Sequence, residues 1–254
     1  MEIIAHRGES QAAPENTLEA FTLAWARGAG GIEGDFHLTR DGEIVCMHDD
    51  NAARTGGVHR ALAEMSLEEI KSLDVGRWKN EVWRHTRVPT LNEVLATIPS
   101  YGKIYIELKC AGDIVERLAK IFNTCGLQRK QLVIISFDPA TVIAVRQRLP
   151  DHKVYLLRSL KQDETGKVLP DAAGLCHELR EVGAHGIDLC AHEFIDHEYV
   201  RQVQREGFEF HIWTVNDAET AARFVDFGID SITSDCAYAL RQELKFNNGS
   251  GIYG

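Results

Sequence analysis

Two carboxylate residues, Glu33 and Asp35, stand two positions apart in an apolar stretch of the chain. If this stretch is a β-strand, residues two apart point to the same face, so both carboxylates point the same way. Two unpaired carboxylates are costly to bury, and a hard divalent cation relieves that cost because it prefers oxygen ligands. A solvated pair at a strand edge is the alternative interpretation. The flanking Ile32 and Phe36 favour an inward carboxylate face, so the pattern predicts metal binding by Glu33 and Asp35.

A second pair with the same spacing, Glu107 and Lys109, ends another apolar stretch. Here an acidic and a basic side chain would share one face of a strand. An internal ion pair is one interpretation of this pattern. The other is that Glu107 completes a three-carboxylate metal site and that Lys109 neutralises a phosphoryl oxygen as a point charge.

Two histidines have sequence neighbours that suit acid/base chemistry. His6 precedes Arg7 at a predicted strand end, which would place an acid/base next to a phosphate-binding guanidinium group. His48 precedes Asp49, whose carboxylate could orient the imidazole and select its tautomer. A surface pair and a turn histidine are the corresponding structural interpretations. We expect His6 and His48 to supply the acid and the base of one reaction.

Aromatic residues near predicted strand ends could form an apolar wall beside a substrate. Trp213 lies in the run Ile212-Trp-Thr-Val-Asn216. An aromatic ring at a strand end can pack on the carbon face of a polyol substrate, although a single tryptophan is more often part of a core. Phe36 and Phe137 are further candidates for the same wall.

Short β-branched stretches alternate with longer amphipathic ones along the chain, which indicates βα units around a parallel sheet. Strands are predicted at residues 2–5, 31–38, 103–108, 132–137, 153–157, 185–189, 209–215 and 230–233. Helices are predicted at residues 17–27, 91–97, 112–125, 139–148, 172–182, 196–206 and 218–227. Eight strands in 254 residues predict a single-domain TIM (β/α)8 barrel over residues 1–254, with its active site at the carboxyl ends of the strands.

Residues 49–88 do not follow this alternation and are interpreted as a small insertion after the second barrel strand. A return strand at residues 44–47 precedes the insertion. The insertion contains one helix candidate, residues 66–73, which begins with a capping-box pattern. The glycine-rich tail, residues 247–254, is expected to be frayed.

Composition narrows the classes of partner and location. The net charge of −10 and the absence of a basic stripe argue against a nucleic-acid partner. The six cysteines form no CxxC pair, so neither a disulfide framework nor a zinc cluster is predicted. No signal peptide precedes the first strand, and no apolar run is long enough for membrane insertion. We therefore expect a cytoplasmic location, and the sequence leaves the oligomeric state open.

Several motifs occur in register along the chain. They are His6-Arg-Gly, Pro14-Glu-Asn-Thr, Glu33-Gly-Asp35, His48-Asp49, Pro89-Thr-Leu, Glu107-Leu-Lys109, Trp213-Thr-Val-Asn216 and Thr233-Ser-Asp235. Together they resemble the glycerophosphodiester phosphodiesterase family, over nearly the whole chain. One departure is that Cys236-Ala237 follows the last Asp, where the family often has a Pro.

The resemblance implies a TIM barrel with a small insertion after the second strand. It also implies hydrolysis of small glycerophosphodiesters to an alcohol and sn-glycerol 3-phosphate, with a divalent cation, Mg or Ca, as cofactor. Carried over by motif, the metal ligands would be Glu33, Asp35 and Glu107. The acid/base pair would be His6 and His48, and the phosphate would be held by Arg7 and Lys109.

Three other functions are compatible with part of the pattern. A lysophospholipase D-like or sphingomyelinase D-like enzyme would keep the site but act on intact lipids, and the low aromatic content of 8% argues against it. A non-catalytic barrel that binds a phosphorylated metabolite is disfavoured because such relatives usually lack a catalytic histidine or a carboxylate. An amidohydrolase is disfavoured because the first strand ends in His-Arg rather than His-x-His.

Overall fold

The computed structural model describes residues 1–247, and its main feature is a closed barrel of eight parallel strands. In chain order the strands are β1 (Glu2–Ala5), β2 (Gly31–Leu38), β3 (Ile44–Cys46), β4 (Lys103–Leu108), β5 (Leu132–Ser136), β6 (Lys153–Arg158), β7 (Lys161–Gln162), β8 (Val168–Leu169), β9 (Gly186–Cys190), β10 (Glu209–Trp213) and β11 (Ser231–Ser234). Strands β1, β2, β4, β5, β6, β9, β10 and β11 form the barrel, which closes where β1 pairs with both β2 and β11. The predicted TIM barrel is confirmed.

Helices follow most of the barrel strands and cover the outside of the barrel. They are α1 (Leu18–Ala26), α2 (Ala53–Gly56), α3 (Leu67–Lys71), α4 (Leu91–Leu95), α5 (Ile114–Phe122), α6 (Pro139–Arg148), α7 (Ala172–Val182), α8 (His197–Arg205), α9 (Ala218–Asp226) and α10 (Ala237–Asn247). The final helix was not predicted, and its last residue is the first of the predicted frayed tail. The rest of that tail, residues 248–254, lies outside the described residues. Within residues 1–247, no helix combines the length and the apolar character needed to cross a bilayer.

The alternation of β2 divides its side chains between two environments. Ile32 and Phe36 belong to the large apolar core, together with residues of the surrounding helices. Glu33 and Asp35 point the other way, into the barrel, and are almost fully buried. The prediction that Phe36 forms a substrate wall is therefore wrong, because its side chain is 0% exposed in the outer core. It lies on the strand face opposite the two carboxylates.

The inside of the barrel holds a smaller apolar cluster below the mouth. This cluster contains Ile4, Tyr105, Val133, Ile135, Tyr155 and Leu157, and Trp213 packs against it. The cluster fills the barrel interior with side chains, as in other TIM barrels. Chemistry is therefore restricted to the carboxyl ends of the strands.

The insertion between β3 and α4 has its own small core. Its buried residues are Val45, Met47, Ala52, Leu62, Met65, Ile70, Leu73, Val75 and Val88. Helix α3 begins with the predicted capping box, in which Ser66 and Glu69 exchange hydrogen bonds. A hairpin of β7 and β8 was not predicted, because each of its strands is only two residues long and mostly exposed, with no apolar alternation.

Candidate active site

Three carboxylates from two neighbouring strands meet at the barrel mouth. Glu33 and Asp35 come from β2 and Glu107 from β4, and the register pairs Asp35 directly with Glu107. One oxygen of each carboxylate lies within 4.8 Å of the others, an arrangement that could hold a metal ion. The parallel pairing and the period-2 alternation together produce this convergence.

Burial and mutual repulsion act differently on the three groups. Burial, followed by repulsion from Asp35 and Glu107, raises the pKa of Glu33 well above its ordinary value. Burial and repulsion from Asp35 raise the pKa of Glu107 to about 7, against the attraction of Lys109. Burial also opposes ionisation of Asp35, but Arg7 and Lys109 outweigh it and lower its pKa to about 2. The positive charge near Glu33 is therefore too small to balance an ionised carboxylate there.

Two cations, the predicted phosphate-binding residues Arg7 and Lys109, flank the carboxylates. The Arg7 Nε atom lies 3.2 Å from Asp35 Oδ2, and the Lys109 Nζ atom lies 3.4 Å from Asp35 Oδ1. Lys109 also donates a hydrogen bond of 2.8 Å to Glu107. The backbone N–H of Arg7 donates to Glu33 Oε2 at 3.0 Å. Asp35 therefore has a cation against each of its two oxygens.

The turn after β1 places Arg7 in an unusual conformation. Arg7 has φ 55°, in the left-handed region that few side chains adopt, and Gly8 follows with φ 80°. A Cβ atom on Gly8 would lie 2.5 Å from the carbonyl carbon of Ala20. Only glycine fits this close approach to α1, which explains the third residue of the His-Arg-Gly motif.

His6 is held by a residue from the far end of the chain. Its Nδ1 atom lies 2.6 Å from Asp235 Oδ1, and its Nε2 atom lies 3.9 Å from Glu33 Oε2. Burial opposes ionisation of Asp235, but the bond to His6 outweighs it and lowers the Asp235 pKa to about 2. An ionised carboxylate can only accept a hydrogen bond, so Nδ1 carries the proton and Nε2 is left for proton exchange. The sequence motif contained Asp235, but no role was assigned to it.

His48 has the same type of partner, taken from the next residue. Its Nδ1 atom lies 2.7 Å from Asp49 Oδ1, and a bidentate contact from Arg54 lowers the Asp49 pKa to about 2. The carbonyl oxygen of His48 lies 3.2 Å from the Nε2 atom of the buried His37. His48 therefore presents Nε2 by the same tautomer argument as His6.

Two residues of the Pro14-Glu-Asn-Thr segment hold charged groups of the site in place through hydrogen bonds. The sequence did not reveal this role. The Asn16 amide donates to Asp35 Oδ2 at 2.8 Å and accepts from the Asp35 N–H at 3.1 Å. Glu15 accepts from Arg7 at 2.9 Å and also bonds Arg54. Thr17, the last residue of the segment, is the N-cap of α1. The φ of 57° at Asn16 is a further sign of a constrained role.

The aromatic side of the mouth consists of Trp213 and Phe137. Their rings meet edge to face, with centroids 5.7 Å apart and an interplanar angle of 88°. The Trp213 indole N–H donates to the carbonyl oxygen of Asp188 at 3.1 Å, which fixes the ring. Phe137 is 40% exposed. The structure thus brings these two predicted aromatic residues together at the strand ends.

Known proteins share both the sequence pattern and this architecture. The profile of the Glycerophosphoryl diester phosphodiesterase family matches residues 6–237. A glycerophosphodiester phosphodiesterase of Caldanaerobacter subterraneus subsp. tengcongensis is 33% identical over 92% of this chain and 93% of its own length. A glycerophosphodiester phosphodiesterase of Bacillus subtilis is 29% identical over 90% of this chain and 81% of its own.

A solved structure of a phosphodiesterase from Oleispira antarctica, in complex with the product sn-glycerol 3-phosphate, superposes with a TM-score of 0.85. It is 26% identical, and the match covers 96% of this chain and 97% of that one. The family profile covers every residue of the carboxylate cluster, both flanking cations, both histidines and their aspartates. The chain therefore belongs to the glycerophosphoryl diester phosphodiesterase family.

Proposed function

We propose that the chain hydrolyses small glycerophosphodiesters to an alcohol and sn-glycerol 3-phosphate, with a divalent cation as cofactor and with His6 and His48 as acid and base. The observation that supports this most strongly is the cluster of Glu33, Asp35 and Glu107 flanked by cations at the barrel mouth. The product-bound relative from Oleispira antarctica supports the substrate class.

The donor set fits a hard divalent cation, magnesium or calcium. All three groups are carboxylates, and such ions prefer oxygen ligands. The Glu33 Oε1 atom is buried without a hydrogen-bond partner, which is costly unless another group compensates it. Glu33, Asp35 and Glu107 would hold the ion, and when bound it would neutralise charge on a phosphoryl oxygen.

Arg7 and Lys109 would hold the phosphate. When all three carboxylates are ionised, they carry one more charge than these two cations balance, and a divalent ion would then leave the site net positive. A phosphodiester carries a single negative charge, so such a site would attract it. The Arg7 guanidinium offers a donor fork, while Lys109 acts as a compact point charge.

His6 and His48 would move the protons. One imidazole Nε2 takes the proton from the attacking hydroxyl, which belongs to water or to the glycerol 2-position. The other imidazolium gives a proton to the leaving alkoxide as the phosphorus–oxygen bond breaks. If the 2-hydroxyl attacks, water then opens the cyclic phosphate and the two histidines exchange roles. Asp235 and Asp49 keep the two rings in the required tautomer throughout.

Release of sn-glycerol 3-phosphate from glycerophosphocholine, glycerophosphoethanolamine and glycerophosphoglycerol tests this function. Each substrate is incubated with magnesium, with calcium and with EDTA. We expect metal-dependent release and no release in EDTA. Absence of release from all three with folded protein and either metal would contradict the proposal. Turnover of a lysophospholipid in the same assay would then favour the lipid-substrate alternative. The cytoplasmic location inferred from the sequence stays a prediction.

A further inference from the structure

The insertion carries a surface loop, residues 77–87, whose character differs from the rest of the chain. This basic–aromatic loop has the sequence Arg-Trp-Lys-Asn-Glu-Val-Trp-Arg-His-Thr-Arg. It contains four Arg or Lys residues and one Glu, so its formal charge is +4 − 1 = +3. The whole chain has a net charge of −10, so all the other residues together carry −13. A cationic patch of this kind on an acidic protein attracts a polyanionic surface locally.

Within residues 1–247, only one carboxylate, that of Glu81, pairs with any of the four cations of the loop, so most of their charge is not neutralised. Arg77 and Arg84 share one partner, Glu81, at 2.9 Å and 3.6 Å, and the side chains of all three are more than half exposed. Lys79 donates to the carbonyl oxygen of Ser10. Arg87 donates to backbone carbonyl oxygens, which leave its charge in place. The nearby Asp74 accepts from three backbone N–H groups that shape the loop.

Apolar side chains project from the same loop. Val82, on a single 3-10 turn, is 80% exposed, the highest value among the large apolar side chains that the structure leaves exposed. Trp78 is 41% exposed, and its indole N–H donates to the carbonyl oxygen of Val75. The Lys79 ammonium lies 5.8 Å from the centre of the Trp78 ring. Tryptophan beside exposed aliphatic groups and Lys or Arg is the composition that suits the headgroup region of a bilayer.

The loop lies at the mouth of the barrel. Lys79 contacts the carbonyl oxygen of Ser10, in the segment after β1. The hydroxyl group of the same Ser10 donates to Asp235, which is the partner of His6. Two residues thus separate the loop from the histidine at the mouth. Any flat surface that the loop contacts would face the same end of the barrel as the active site.

We infer that the basic–aromatic loop is a docking surface for membranes that contain anionic lipids. The cations provide attraction to the negative headgroups, and Val82 and Trp78 enter the interfacial region. The small number of apolar side chains predicts reversible, peripheral binding. This surface is separate from the phosphodiesterase chemistry and goes beyond it.

Vesicle flotation with the full chain tests the inference. Vesicles of phosphatidylcholine alone are compared with vesicles that contain equal parts of phosphatidylcholine and phosphatidylglycerol. We expect binding only to the anionic vesicles, and weaker binding as salt is added, because exposed charges are screened. Equal binding to both kinds of vesicle, or no binding to either at low salt, would overturn the inference.

Matched variants locate the surface. Arg84→Ser removes one exposed cation and should lower the affinity for anionic vesicles by about fivefold. Val82→Glu should lower it further, because it removes the apolar contact and adds a repelling charge. The controls are Arg129→Ser, before β5 at the opposite end of the barrel, and Ile143→Glu, on the exposed side of α6, and both should bind like the wild type.

Hydrolysis of soluble glycerophosphocholine by the same variants separates this inference from the proposed function. Val82→Glu and Arg84→Ser should retain wild-type turnover, since neither residue contacts the carboxylate cluster or the histidines. Thermal unfolding confirms that each variant is folded. Unchanged vesicle binding by folded Val82→Glu, or equal losses in the two control variants, would refute the loop as the docking surface. A protein that floats with vesicles but releases no glycerol 3-phosphate would contradict only the proposed function.

Discussion

The two halves of the barrel mouth are constructed in different ways. The charged half, at the ends of β1, β2 and β4, places three carboxylates, two cations and His6 against one another. The aromatic half, at the ends of β5 and β10, consists of the rings of Phe137 and Trp213. Each group of the charged half has at least one charged or hydrogen-bonded partner. The aromatic half is fixed by one indole hydrogen bond, one ring contact and the packing of Trp213 on the apolar cluster inside the barrel.

This difference indicates that the charged half carries out the chemistry and that the aromatic half contacts the variable part of the substrate. Groups that develop or transfer charge must be held in one geometry before the reaction, since reorganisation would raise the barrier. A surface that contacts different leaving alcohols needs enough apolar contact area, and its side chains do not have to be held in a single geometry. We therefore expect substitutions in the charged half to abolish chemistry and those in the aromatic half to change substrate preference.

The largest effects should follow from loss of either histidine. His6→Ala and His48→Ala should each lower turnover by roughly 10²–10⁴-fold, as expected for a missing acid or base, with little change in metal binding. Steady-state kinetics gives turnover, and calorimetry gives metal affinity. Near-wild-type turnover in either variant would remove that residue from the mechanism.

Asp235→Asn should have the next largest effect. The amide can donate to Nδ1 and so favours the wrong tautomer of His6, and we expect turnover to fall by about 10²-fold. Metal affinity should not change, because Asp235 is outside the carboxylate cluster. A merely structural role would lower the melting temperature, and the pH profile of turnover would not move. A shifted profile in a normally stable variant would identify Asp235 as a positioning residue.

Glu107→Gln tests the proposed metal ligands of the charged half. Loss of a residue that only hydrogen-bonds a metal ligand typically weakens metal binding by roughly 10–100-fold. Removal of a ligand carboxylate should weaken binding of magnesium or calcium by at least as much. Glu178→Gln is a matched control, since Glu178 pairs with Arg158 away from the cluster. Isothermal calorimetry measures both variants. Wild-type metal affinity in Glu107→Gln would exclude Glu107 as a ligand.

Below the aromatic half, Asp188 is buried and its Oδ1 atom has no hydrogen-bond partner. Burial raises its pKa to about 6. In the unfolded chain this carboxyl group has a lower pKa, about 4. The protonated group is therefore compatible with the fold below about pH 4, and the protein loses stability as the pH rises through about 6 and the buried group must ionise. Asp188→Asn should therefore stabilise the fold by about 3 kcal/mol near pH 8 and by almost nothing near pH 4. Denaturant unfolding of both proteins at the two pH values checks this, and an equal gain at both would contradict it.

The smallest effect is expected in the aromatic half. Phe137→Ala removes one exposed ring, which should change relative kcat/KM values among glycerophosphodiesters by up to about tenfold. Turnover of the best substrate should stay within a few-fold of the wild type. Competition between glycerophosphocholine and glycerophosphoglycerol measures the preference. A loss as large as that of the histidine variants would refute the division between the two halves.

The sequence alone was sufficient for the barrel and for the residues of the charged half. Strand period and βα alternation are local properties, so they can be seen without coordinates. Glu33, Asp35, Glu107 and Lys109 could be assigned because strand ends in a parallel barrel meet at one mouth. Phe36 was misplaced because it was chosen for its position near a strand end, although the period-2 alternation already puts its side chain on the face opposite Glu33 and Asp35.

Only the tertiary structure revealed how these groups are held. The contact of His6 with Asp235 joins residues 229 positions apart, and Asn16 reaches Asp35 from the loop before α1. The first contact depends on barrel closure between β1 and β11, which is a long-range pairing with no local sequence signal, and the second depends on how the loop after β1 packs beside β2. Burial is likewise a property of the whole fold, and it raises the pKa of Glu33 and of Glu107. The residue types were thus determined locally, whereas their protonation and tautomers depend on what the closed barrel places around them.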